Sequence, residues 1–134
     1  MNRAVEPPAD RRQFLLAGLS VVTLLSPAGA LAKERDTLER WLRRVALRTP
    51  EAAALGRRYL HLHPTEGSAA QLAQVLFGMP LQLGIDGTTL EGAKRRIRAD
   101  GKRDYEDGNL VVLEGWSVTR TEARLLALLT ILSV

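Results

Sequence analysis

The chain has 134 residues, 46% of them hydrophobic and 25% charged, with 19 basic against 15 acidic residues and no cysteine. A chain of this length supports one modest core, and its mild positive surplus suits contact with an acidic partner or anionic headgroups without demanding either. The lack of cysteine excludes disulfide cross-links, iron–sulfur clusters, thiolate zinc and covalently attached haem.

The first segments stand in the order of an export signal. Met1 to Asp10 is polar and contains proline, Arg11 and Arg12 supply paired charge, and Ala17 to Leu25 is mildly apolar. Pro27 and the small-residue triplet Ala30-Leu31-Ala32 follow, which places cleavage after Ala32. The run Asp10-Arg11-Arg12-Gln13-Phe14-Leu15-Leu16 resembles the twin-arginine (Tat) signal motif. Phe14 and Leu15 agree with it, while Asp10 replaces the usual Ser or Thr. The resemblance implies passage of a folded protein through the Tat translocase into the periplasm. An ordinary secretion signal that happens to hold two arginines is the other reading. The chain then divides into a signal, residues 1–32, and one domain, residues 33–134. Export argues against nucleic acid as a partner. No apolar run after residue 32 reaches the roughly 20 residues that span a bilayer.

From Lys33 the pattern is helical. Leu38, Trp41, Leu42 and Val45 form one apolar stripe, and Asp36–Arg40 and Glu39–Arg43 place acid four residues ahead of base. A second helix opens at Thr49-Pro50, carries Ala52, Leu55, Tyr59 and Leu62 inward, and stops before Pro64. A short third helix presents Leu72, Val75 and Leu76 and ends at Gly78 and Pro80. Leu81 to Gly87 reads as a loop. Thr88-Thr89-Leu90-Glu91 fits a capping box for a fourth helix that runs to about Asp100 with Leu90, Ala93 and Ile97 inward. The period then changes. Leu110 to Leu113 and Trp116 to Val118 form a β-hairpin around Glu114-Gly115. Thr119-Arg120-Thr121-Glu122 supplies a second capping box, and a last helix extends from Glu122 to about Leu132. The predicted fold is mainly α: about five short helices with one hairpin before the last.

Few residues carry chemistry. His61 and His63 are the only histidines, and a spacing of two on a helix points their rings apart, which disfavours a shared metal. Asp100, Asp104, Glu106 and Asp107 alternate with Lys102 and Arg103 before Gly108, the composition of a solvated turn rather than of paired catalytic carboxylates. Ser68, Ser117 and Ser133 lack a nucleophile-elbow context, and Gly84, Gly87 and Gly92 lack phosphate-loop spacing. No catalytic set and no cofactor is expected. Lys94-Arg95-Arg96-Ile97-Arg98 is the densest basic stretch: either a solvated face around Ile97, or an anion-binding patch of Arg95, Arg96 and Arg98.

The last helix is apolar on nearly all sides. Such a helix is either central in a core or covered by a partner. The sequence leaves both open, with Trp116 as the anchor joining hairpin and helix. Trp116, Leu125, Leu128, Leu129 and Leu132 are the candidate partner-binding residues, and Leu128 and Leu132 the candidate outward pair. The Tat-type signal, the short helical body and the Gly115-Trp116…Thr121-Glu122-Ala123-Arg124 ending resemble small Tat-exported proteobacterial proteins without assigned activity. The signal, size and lack of cofactor ligands are also similar to small accessory subunits that carry flavin-dependent dehydrogenases through export. That likeness implies a non-catalytic accessory subunit assisting a larger periplasmic oxidoreductase. The alternative is a stand-alone periplasmic module for an anionic ligand or a membrane surface.

Replacing Arg11 and Arg12 together by lysine keeps the charge but removes the pair that the Tat machinery reads. Cell fractionation should then find the precursor held in the cytoplasm. Undiminished periplasmic accumulation would establish ordinary secretion instead.

Overall fold

The computed structural model describes residues 36–45 and 50–133. Arg11, Arg12, Phe14, Leu15, Ala30, Ala32 and the capping residue Thr49 lie outside the described residues. The described part is mainly α, as expected: five α-helices, one 3-10 turn and one two-stranded antiparallel hairpin immediately before the last helix.

Helix α1 spans Leu38–Arg44, with the Thr37 hydroxyl accepting from Arg40 N–H at 3.1 Å. Leu38, Trp41 and Leu42 are fully buried. Both predicted ion pairs are present, Arg43–Glu39 at 2.8 Å and Arg40–Asp36 at 3.9 Å. Arg44 binds Asp36 more tightly than Arg40 does, outside the i, i+4 pattern.

Helix α2 is Pro50–Leu62, and the 3-10 turn η1 is Pro64–Glu66. Leu55 and Tyr59 are buried, but Leu62 is 46% exposed and does not belong to the core. Tyr59, one turn earlier, already meets Arg120 where the last helix begins, so that helix has no residue left to cover Leu62.

Helix α3, Ala69–Phe77, is capped by Ser68 and closed by Gly78 at φ 69°. Its buried stripe is Leu72, Ala73, Leu76 and Phe77. Val75 falls beside that stripe and is 48% exposed, contrary to the expected inward position. The segment after it is a loop, yet an anchored one. Leu81 and Ile85 are buried, and Leu81 and Leu83 carbonyls accept from Glu39 and Leu38 N–H at 2.9 and 3.0 Å.

Helix α4 covers Gly87–Asp107, seven residues beyond the expected end at Asp100. Gly101 is buried within the helix, and the terminator is Gly108 at φ 72°. Asp100, Asp104, Glu106 and Asp107 therefore lie on a helix rather than in a solvated turn. The cap is Asp86, whose Oδ1 accepts from Thr89 N–H at 2.9 Å. Thr88 and Glu91 do not form the expected capping box; Glu91 pairs with Lys94 at 2.8 Å.

Strands β1 (Leu110–Leu113) and β2 (Trp116–Thr119) pair in the predicted register, with Leu113 opposite Trp116. Glu114 and Gly115 occupy the turn at φ 52° and 82°, the double positive φ of a tight hairpin whose twist matches its strands. Helix α5, Arg120–Leu132, follows directly and starts two residues before the expected Glu122. Its capping box is complete: Thr119 Oγ1 accepts from Glu122 N–H at 3.0 Å, and Glu122 Oε1 accepts from Thr119 N–H at 2.9 Å.

Helix α5 is the axis of the domain, touching α1, α2, α3, α4 and both strands. Leu125, Leu128, Leu129 and Leu132 are at most 5% exposed, so the expected partner-facing leucines, including the outward pair Leu128 and Leu132, face the domain's own interior. Trp116 is only half-buried; the fully buried tryptophan is Trp41.

The closest approach onto α5 is made by Gly56 of α2. A methyl group there would fall on Thr130 Oγ1 and within 2.6 Å of the Leu126 carbonyl oxygen. Alanine normally gains about 1 kcal/mol over glycine inside a helix. Here overpacking opposes that gain, at a typical cost of about 1–3 kcal/mol and more against backbone. Gly56→Ala should therefore lower stability in denaturant melts. A stabilised variant would mean that α2 and α5 do not meet at Gly56.

Candidate functional site

Two polar features stand out against this closed core. The first is the outer face of α4. Arg95, Arg98 and Lys102 are exposed at spacings of three and four, which aligns them along one side of the helix. Among the described residues none of the three forms an ion pair, whereas Lys94 and Arg96 do. Arg96 turns the other way. Its Nη2 donates to the Val75 carbonyl at 3.5 Å, and its Nε lies 3.9 Å from Asp100. The expected trio Arg95, Arg96 and Arg98 is thus divided: two members share the open face, and Arg96 neutralises the C-terminal end of α3. Lys102 replaces it on that face. Its position on α4 was hidden by ending the helix at Asp100.

The second feature joins α2, η1 and α5. Tyr59 Oη donates to Glu66 Oε1 at 2.8 Å, and Arg124 Nε donates to the same oxygen at 2.9 Å. Arg120 Nη1 donates to Tyr59 Oη at 3.3 Å, and the Tyr59 and His63 rings stack at 4.4 Å. Burial pushes the Tyr59 phenol above its ordinary value despite Arg120. For Glu66 burial acts upward, but the hydrogen bonds from Arg124 and Tyr59 outweigh it and hold the carboxyl below its ordinary range. This cluster was not legible as a site. Its one signal is that Arg120 and Arg124, four apart, mark a single polar side on an otherwise apolar helix.

His61 is exposed and His63 is engaged with Tyr59. Among the described residues no group of three or more His, Asp or Glu is placed to hold a metal ion. None of the described helices is long and apolar enough to cross a membrane. Compared with protein-family models, curated proteins and solved structures, the chain matches none.

The capping box carries an electrostatic cost. Glu122 is 5% exposed and its Oε2 has no hydrogen-bond partner among the described residues. Burial, with the nearby Asp104 carboxylate adding to it, pushes its pKa up to about 7. Asp104 itself accepts from Thr121 N–H at 2.8 Å and from the Thr121 hydroxyl at 2.6 Å.

A carboxyl whose folded pKa exceeds the ordinary 4.5 binds more protons folded than unfolded across that interval. Its contribution to stability is therefore greatest below about pH 4.5 and falls as pH rises to about 7. Thermal melts between pH 5.5 and 8 should show falling stability, by up to about 2 kcal/mol. Glu122→Gln keeps a capping-box residue and removes the charge. It should flatten this dependence and raise stability at pH 8. An equal slope in both proteins would place the titration elsewhere.

Proposed function

We propose that this protein is an exported, non-catalytic binding module that engages an anionic surface through the outer face of α4. The observation that supports this reading is the alignment of Arg95, Arg98 and Lys102, exposed and without ion-pair partners among the described residues. Glu91, four residues before Arg95, is engaged by Lys94, which leaves the three cations as the available charge on that side. Their extended guanidinium and ammonium groups suit phosphate-rich headgroups, which accept many weak contacts without a shaped pocket. The export motif around Arg11 and Arg12 supports placing the module in the periplasm. The accessory-subunit reading loses one of its two supports, because the apolar helix meant to meet a catalytic partner is consumed by the protein's own core.

Vesicle co-sedimentation tests the reading, comparing zwitterionic lipid with and without phosphatidylglycerol at low and moderate salt. Binding should require the anionic lipid and weaken with salt, since exposed charges are screened. The triple variant Arg95→Gln, Arg98→Gln, Lys102→Gln should lose about 3 kcal/mol of binding, roughly a hundredfold, at an unchanged melting temperature. No sedimentation of the wild type, or undiminished sedimentation of the variant, would end this reading.

A further inference from the structure

Beside the Tyr59–Glu66–Arg124 cluster, η1, α3 and α5 enclose an open groove of about 340 Å³ lined by Glu66, Gln71, Leu72, Gln74, Val75 and Arg124. That volume falls in the range of small-ligand sites, about 300–1,000 Å³. The apolar part of its wall is Leu72 and Val75, and the exposure of Val75 follows from its facing this groove rather than the core. The charged end is unbalanced. Arg124 pairs with Glu66, whereas Arg120, one turn earlier on α5, donates to Tyr59 Oη and Asn109 Oδ1 and makes no ion pair of its own among the described residues. The cluster as a whole therefore carries one more positive than negative charge, while Arg124 and Glu66 are the charged residues that line the groove itself. Arg124 donates to Glu66 through Nε, while its two terminal amino groups donate to no carboxylate among the described residues and have the paired geometry that fits one.

We propose that this groove binds a small organic monoanion: a carboxylate seated on the Arg124 amino groups with a short apolar body lying over Leu72 and Val75. The glutamine amides of Gln71 and Gln74 flank that body and can serve its polar substituents. The charge balance selects one negative charge, because a second would meet Glu66 without a further cation. A cation would meet the Arg124 guanidinium beside a Glu66 carboxylate already paired with it, and a neutral molecule would leave the Arg124 terminal donors unused. The same head and body occur in a free short-chain acid and in the C-terminus of a peptide that ends in an apolar residue.

Titrations of the full chain, followed by NMR shifts of the Gln71 and Gln74 side-chain amides, test the proposal. The probes are hexanoate, hexanol, and a short peptide ending in leucine with free or amidated carboxyl. Hexanoate should bind saturably and at least about tenfold more tightly than hexanol. If the free peptide binds more tightly than hexanoate, and its amide much less, the groove takes chain termini; tighter hexanoate assigns it to small acids. Val75→Glu places charge in the groove at an exposed position, so it should abolish binding without changing the melting temperature. Arg124→Gln should also abolish it, and the Val75 variant decides the matter if loss of Arg124 unfolds the chain. The α4 triple glutamine variant should bind hexanoate like the wild type, which separates this site from the proposed anionic-surface face. No saturable binding of either acid, equal binding of hexanol, or unaltered binding by the Val75 variant would overturn the proposal.

Discussion

The structure depends on one constraint: a helix apolar on nearly every side must be wrapped by short elements that cannot otherwise bury it. Helix α5 spans Arg120–Leu132, and all of its residues from Leu125 to Leu132 but one are buried. Four other helices can enclose it only if at least one comes closer than side chains normally allow. Gly56 makes that approach, putting the α2 backbone against Thr130 and the Leu126 carbonyl. Thr130 turns its hydroxyl back to that same carbonyl at 2.7 Å, which satisfies a buried donor at the point of closest contact. With α2 seated there, Tyr59 comes into reach of Arg120 and Glu66 into reach of Arg124. The polar cluster is a consequence of the same packing that closes the core.

The other end of α5 is held by a costlier device. The hairpin runs without a linker into the helix, so the first-turn N–H groups must be satisfied inside the domain rather than by water. Thr119 and Glu122 do so reciprocally, and Asp104 reaches across from α4 to accept from Thr121. A helix cap is typically worth about 1 kcal/mol. Placing a carboxylate with one unpartnered oxygen beside a second carboxylate offsets that gain whenever both are ionised. The junction is strongly directed in geometry and only weakly favourable in electrostatics at high pH.

Local signals in the sequence were sufficient where the chemistry is local. The Glu114-Gly115 turn, the Thr119–Glu122 box and the i, i+4 pairs of α1 are all decided within a few residues, and each is found where its pattern places it. Apart from the Thr88–Glu91 box, displaced by the neighbouring cap Asp86, the misreadings share one cause, which is that tertiary neighbours choose among locally equivalent options. Val75 and Leu62 satisfy helical periodicity as well as Leu72 and Tyr59 do, but only the latter have something to pack against. Gly101 has the propensity of a terminator, yet burial within α4 keeps it helical, and Gly108 at positive φ ends the helix. Whether the last helix met a partner or a core could not be decided from its composition, because both require the same leucines. The Tyr59–Glu66–Arg124 cluster joins residues far apart in the chain and has no sequence spacing to announce it.

Formal charge is a poor guide to what this chain can bind, because most of its described arginines are already engaged. Arg43 donates to the Leu132 carbonyl at 2.7 Å and Arg96 to that of Val75, each offsetting the negative end of a helix. Arg44 serves Asp36 and Arg103 serves Asp100, whereas Arg124 serves Glu66 through Nε alone. An arginine with its fork occupied adds little attraction for an outside anion, whereas an unpaired one retains its full set of donors. Among the described residues the cations left without an ion pair or hydrogen-bond partner are the stripe Arg95, Arg98 and Lys102 on the convex outside of α4 and Arg57 on α2, while Arg124 keeps its terminal amino groups beside the Val75 groove. A convex stripe of flexible cations can meet only a broad anionic surface, while a concave site with one fixed fork and an apolar wall can meet only something small. Separate placement of these two excesses favours two distinct contacts over one shared interface.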